Sequence, residues 1–209
     1  KSTGELELSL VDVPAAQPAD NEVVVRVEAT PINPSDLGLL LALADPASFE
    51  AAGTADRPVA KARVSDKVLP GLKARWDESM PVGNEGAGTV VRAGASPAAQ
   101  ALLGKAVAVI GGAMYAQERL VRVDQCMPIP AGATPRDAAS WWVNPMTALS
   151  MTETMRREGH TALVHTAAAS NLGQMLNRIC QKDGIALVNI VRRPEQAALL
   201  KSLGAQHVV

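Results

Sequence analysis

Thr161–Gly173 reads TALVHTAAASNLG, and the fold turns on this stretch. A short apolar run, Ala162–Val164, enters a turn of small residues. The spacing predicts an amphipathic helix over Leu172–Cys180, and a second apolar run, Ile185–Val191, leads to Arg192 and Arg193. Strand, tight turn, helix and strand in that order put a helix N-terminus beside the C-terminal end of a strand. Backbone N–H groups there favour the pyrophosphate of a dinucleotide. The glycine fingerprint of such turns is thin: its three positions fall on Ala168, Ser170 and Gly173, with Asn171 and Leu172 between. Ala and Ser are small enough to keep most of the close backbone approach. An ordinary strand–helix turn is the competing reading.

The residues downstream shift that balance. Arg192 stands 19 positions after Gly173, near where NAD-selective sites carry an acid for the ribose 2′-hydroxyl. Two guanidiniums there would pair with a 2′-phosphate, so the register favours NADP(H) over NAD; a solvated basic pair is the plain alternative. A helix over Pro194–Ser202 and an apolar run at His207–Val209 follow. Three strands with two crossovers form the adenosine half of a dinucleotide-binding sheet, and the nicotinamide half is expected beyond Val209.

Towards the N-terminus the pattern changes. Candidate strands are Glu5–Val11, Glu22–Glu28, Gly86–Arg92, Ala106–Ile110 and Ala116–Val123, so the first 130 or so residues read as mostly β. Turn residues cluster at Ala131–Pro135, which sets the expected domains at 1–132 and 133–209. Residues 44–82 show no firm period and are expected to form a long loop, a lid or mobile segment. In Pro31–Leu43, Asn33 is placed to cap a helix beginning at Pro34, with Asp36 in the first turn where the dipole favours a carboxylate. Asn144 and Pro145 are read as the cap and first residue of a later helix that turns Met146, Leu149 and Met155 to the core. Gly83–Val91 (GNEGAGTVV) is expected to be a tight connection into a strand, with Glu85 a candidate for a cleft.

Composition narrows the function. Twenty basic and 21 acidic side chains leave a net charge of −1, so nothing calls for nucleic acid or an anionic membrane surface. No apolar run approaches the ~20 residues of a membrane span. Two cysteines, Cys126 and Cys180, lack metal-ligand spacing, and a reduced cytoplasmic setting is expected. No two of the three histidines stand at ligand spacing, and His165 is expected to be a satisfied core residue. Ser170 after a strand has the outline of a hydrolase nucleophile elbow, but Leu172 breaks the small-residue requirement two positions on.

Several blocks in order, INPSDLGLL, PVGNEGAGTVVRAG, GKAVAVIGGAMYAQERLV, NPMTALSM and ALVHTAAASNLGQM, resemble the medium-chain dehydrogenase/reductases. Within them the chain is similar to the zinc-independent, NADPH-dependent quinone oxidoreductase branch. The resemblance implies an α/β fold class: a GroES-like β-barrel domain, then the first half of a Rossmann doubly wound sheet, with the active site between them. It places Asn33, Pro34, Ser35, Asp36 and Gly38 along the nicotinamide side, with Asn33 and Asp36 as candidate catalytic residues. Thr147 falls near the nicotinamide, Ser170–Gly173 on the pyrophosphate, and Arg192 and Arg193 at the 2′-phosphate. Zinc-dependent relatives carry a histidine where this chain has Asn84 and a cysteine near Asn33–Asp36, so no metal is expected. The tyrosine that quinone reductases often place just after the aspartate is replaced by Leu37–Gly38, which leaves any proton donor unassigned.

The implied activity is hydride transfer from NADPH to a quinone or an α,β-unsaturated carbonyl, with a small-molecule partner and a homodimer. The alternatives are an enoyl-thioester reductase and a non-catalytic relative that binds NADPH as a structural or interaction protein.

Overall fold

The computed structural model describes residues 1–41 and 44–209, so Ala42 and Leu43, the last two positions of the Pro31–Leu43 segment, lie outside the described residues. The chain divides into two compact units, Lys1–Ala139 and Ser140–Val209.

In chain order the first unit holds β1 (Glu5–Ser9), β2 (Glu22–Ala29), α1 (Pro34–Leu41), β3 (Glu50–Gly53), β4 (Pro58–Arg63), β5 (Glu85–Ala93), α2 (Pro97–Gln100), β6 (Ala106–Ile110), β7 (Glu118–Arg122), β8 (Cys126–Pro128) and α3 (Pro135–Ala138). Five strands make an antiparallel sheet in the order β7-β2-β5-β6-β8. Valine dominates its core: Val23, Val25, Val90, Val107, Val109 and Val121 pack with Leu102 and Met114. β-Branched side chains suit such a surface because their restricted rotamers cost little to fix on a pleated strand. The sheet is open, and among the described residues no barrel closes. β8 offers only three residues, which pair with β6 and not with β7, so the edges of the expected barrel do not meet.

The stretch 44–82, expected to be a loop, carries two strands. β4 pairs with β1 and with β3 in a three-stranded antiparallel sheet over a small cluster of Ala44, Ala62 and Val64. All four residues of β3 are exposed, so no alternation marked it in the sequence.

The second unit opens with α4 (Val143–Arg157), followed by β9 (Ala162–His165), α5 (Asn171–Asp183), β10 (Ala186–Asn189), α6 (Pro194–Ser202) and β11 (His207–Val208). The strands are parallel in the order β11-β10-β9, joined by one crossover helix each. α5 buries Gly173, Leu176, Asn177 and Cys180, a three-and-four spacing that lays one face on Leu187 and on Ala148 of α4. Gly184, left-handed at φ 67°, ends it.

α4 departs from expectation. Trp142 is its N-cap, with Asn144 and Pro145 already inside the helix. Its buried residues are Ala148, Thr152 and Met155, while Met146 and Leu149 are both 49% exposed. Met155 faces the core as expected, but Ala148 and Thr152 take the rest of the inner stripe where α4 packs along α5, and Met146 and Leu149 are turned outward.

Candidate functional site

In the second unit the turn between β9 and α5 is built by short-range bonds. Ser170 is the N-cap of α5, and its Oγ accepts from the Gly173 N–H at 3.2 Å. The Ser170 N–H donates to Ala167 O at 2.9 Å. Ala167 takes the left-handed backbone (φ 53°), the conformation for which such turns favour glycine. Gly173 is required: a Cβ there would sit 2.2 Å from Ala168 O, so helix and turn touch backbone to backbone. Ala168 is fully buried, Asn171 and Ser170 are exposed, and Leu172 is half-buried. With Ser170 serving the third N–H of the helix, those of Asn171 and Leu172 remain for an anion.

Two backbone bonds tie this turn to the next strand. Ile190 N–H donates to His165 O at 2.9 Å, and Ala168 N–H donates to Ile190 O at 3.3 Å. Two residues on, Arg192 and Arg193 are both exposed. Arg193 is the N-cap of α6, and its Nε lies 3.1 Å from a Glu195 carboxylate oxygen. Arg192 N–H donates to Gln196 Oε1 at 3.2 Å. Thr147, half-buried on α4, donates its hydroxyl to Val143 O at 2.7 Å and therefore offers outward only an acceptor lone pair.

The first unit holds a separate polar cluster where α1 begins. Asp36 is fully buried, and both its carboxylate oxygens are used: Oδ2 accepts from Asn33 N–H at 2.7 Å and Oδ1 from Asn84 N–H at 3.0 Å. The dipole position expected for Asp36 is thereby extended to a long-range tie. Asn33 is also buried, and its Nδ2 donates 2.9 Å to Oε1 of the fully buried Glu85. Above this layer the exposed Ser35 Oγ accepts from Asn84 Nδ2 at 3.0 Å, which leaves the Ser35 hydroxyl proton to be donated elsewhere. Pro34 and Gly38 are exposed on the same helix, and a side chain at Gly38 would meet nothing within 4 Å.

Tyr115 braces the cluster. Its hydroxyl donates to Pro31 O at 3.0 Å, and its ring covers Gly83, where a Cβ would come within 2.5 Å of it. Gly83 also needs its positive φ of 94°. Burial, and then the neighbouring Asp36 carboxylate, hold the phenol above its ordinary pKa, so it stays protonated.

The sequence did not foretell the Asn33–Glu85 bond, the Ser35–Asn84 bond or the place of Tyr115, because each joins residues about 50 or more positions apart. The only sequence signal was the glycine-flanked acid in GNEGAG. His165, expected to be satisfied, is not: its Nδ1 is buried and makes no hydrogen bond among the described residues, and burial lowers its pKa. Its register partner Asn189 leaves Oδ1 unbonded in the same way. Burial, with some help from Asp124, pushes the Cys126 thiol up to about 12, far from a reactive thiolate. Among the described residues no group of three or more His, Cys, Asp or Glu side chains stands together as metal ligands, and no helix is long and apolar enough to cross a membrane.

No protein-family model matches the chain. It is 33% identical over 216 residues to the mitochondrial enoyl-[acyl-carrier-protein] reductase of Xenopus tropicalis, covering 97% of this chain and 51% of that protein. The structure superimposes on a protein assigned as an NADPH:quinone reductase in Mesorhizobium loti, with 27% identity, a TM-score of 0.68, and coverage of 99% of this chain and 60% of that one. It also shares the fold of the Escherichia coli quinone oxidoreductase solved with NADPH, at 20% identity and a TM-score of 0.67, covering 95% and 53%. The chain spans about half the length of the curated relatives it matches. The proteins that this chain resembles in sequence and in fold are all members of the medium-chain dehydrogenase/reductase family.

Proposed function

We propose that this chain is the cofactor-anchoring part of a zinc-independent reductase that transfers hydride from NADPH to an electron-poor alkene or quinone. One observation carries the reading. A helix N-terminus with two uncommitted N–H groups and a pair of exposed arginines are linked by two backbone bonds within one unit. Ser170, Asn171, Leu172 and Gly173, with Ala168 as their floor, are assigned to the pyrophosphate, and Arg192 and Arg193 to the 2′-phosphate. NADPH supplies the hydride when bound. Thr147, Pro34, Ser35 and Gly38 are assigned to the nicotinamide side.

Asn33 and Asp36 act in this reading by positioning. Burial keeps both from a substrate, and their bonds fix the backbone that presents Ser35 and Asn84. The free Ser35 proton is a hydrogen-bond donor for a carbonyl or quinone oxygen that gains electron density as hydride arrives. The zinc-free assignment rests on the side chains: Asn84, where zinc-dependent relatives carry histidine, spends its amide on Ser35. Residues 1–132 are assigned to a GroES-like β domain and 133–209 to the first half of a Rossmann domain, in keeping with compact units that part at Ala139/Ser140. A homodimer, a small-molecule substrate and a cytoplasmic setting belong to the same proposal, and the two free thiols suit any reducing compartment.

A second reading, favoured by the 33% identity to an enoyl-[acyl-carrier-protein] reductase, makes the acceptor an enoyl thioester. The test of the cofactor site is direct binding. NADPH and NADH are titrated by fluorescence against the chain and against Arg192→Glu/Arg193→Glu. NADPH should weaken by at least tenfold, about 1.4 kcal/mol, with NADH little changed. Equal loss of both cofactors would reject the assignment. Oxidation of NADPH by a quinone, a simple enone and an enoyl thioester then separates the two substrate readings.

A further inference from the structure

We infer that Glu195 sets how strongly the site prefers NADPH, by occupying the Arg193 guanidinium until a 2′-phosphate displaces it. The inference rests on the 2′-phosphate assignment of the arginine pair and adds a residue to it.

The geometry is local. Arg193 is the N-cap of α6, with an extended backbone (φ −135°, ψ 143°), and it makes no side-chain cap bond. Pro194 follows as the first helical residue, and its fixed φ sets the direction in which the helix leaves. Glu195, the acidic residue of the first turn, then lies beside Arg193, with Nε to carboxylate oxygen at 3.1 Å. Arg192 has no such partner: it forms no ion pair among the described residues, and its backbone N–H is held by Gln196. The two arginines thus enter the site in different states, Arg192 uncommitted and Arg193 paired.

A 2′-phosphate brings a second anion to the same place. It must either displace the Glu195 carboxylate from Arg193 or bind beside it against repulsion. Either way the carboxylate lowers NADPH affinity and leaves NADH, which has only a 2′-hydroxyl there, nearly untouched. The pair is open to solvent, with side chains 65% and 66% exposed, so screening keeps the effect modest. A gain of about threefold is expected on removing the charge.

The experiment uses the full 209-residue chain, with Glu195→Gln and Glu195→Ala. NADPH and NADH are titrated at low and at moderate salt, with 2′,5′-ADP and 5′-AMP as probes of the adenosine end. Both variants should bind NADPH and 2′,5′-ADP about threefold tighter, with NADH and 5′-AMP unchanged and the gain shrinking as salt rises. Unchanged or weakened NADPH binding overturns the inference, as does equal tightening of all four ligands. Far-UV circular dichroism checks that α6 survives. Arg193→Ala separates the two levels. If it leaves the NADPH/NADH ratio intact, the cofactor assignment fails and this inference with it. If it lowers the ratio while the Glu195 variants match the parent chain, only the role of Glu195 is wrong.

Discussion

The cluster at the start of α1 and the turn at the start of α5 solve opposite problems. In the first, Asp36 and Glu85 are fully buried, and side chain and backbone donors close around them. In the second, Ser170 closes the N–H of Gly173, and those of Asn171 and Leu172 make no hydrogen bond among the described residues. A closed polar network fixes shape, because each member would be costly to leave unpaired. An open helix N-terminus keeps its donors for a ligand. The same capping chemistry therefore serves as structure in one unit and, in the proposed function, as a phosphate site in the other.

The sharpest way to break this contrast is to open the closed cluster. Asp36→Ala strands two N–H groups, those of Asn33 and Asn84, and should cost about 3 kcal/mol by denaturant titration, while Asp36→Asn recovers only part of the loss. A cost below ~1 kcal/mol would mean that water replaces the carboxylate and that the cluster is not closed. The next step is to crowd the open turn. Gly173→Ala forces a Cβ against Ala168 O and should cost about 2 kcal/mol in stability, with NADPH weakened in parallel. Tight NADPH binding by this variant would argue against the turn as the phosphate site.

Much of the second unit was legible because its signals are local. β9, the Ser170 turn, α5 and β10 follow from apolar runs, a turn of small residues and a three-and-four spacing within 30 residues. The first unit hid more. β3 gave no alternation because all four of its residues are exposed. In the second unit the exception is α4, which turned Ala148 and Thr152 inward where Met146 and Leu149 were expected. The capping role read for Asn33 was local, whereas its bond to Glu85 spans 52 positions and exists only once the sheet has formed.

A smaller effect sharpens the account of the turn. Ala167 is left-handed without being glycine, so Ala167→Gly should stabilise the chain by about 0.5–1 kcal/mol, read as a raised denaturant midpoint. A loss would show that the methyl group packs usefully there. The gentlest probe is acid. Burial holds the His165 pKa below 6.5, so the folded state resists protonation more than the unfolded chain does. Stability is full above about 6.5 and falls as pH drops towards and through the folded value. His165→Gln should flatten that slope between pH 7 and 5, and an unchanged slope would assign it to other groups.

The two bonds through Ile190 have a consequence for motion. Its N–H donates to His165 O and its C=O accepts from Ala168 N–H, so the turn and the run into the arginines lack independent ways to open. In amide hydrogen exchange Ala168 and Ile190 should behave as one cooperative unit, slowing together when either end of a dinucleotide is gripped. A ligand carrying only the adenosine 2′-phosphate would then protect the turn proposed for the pyrophosphate, which it never touches.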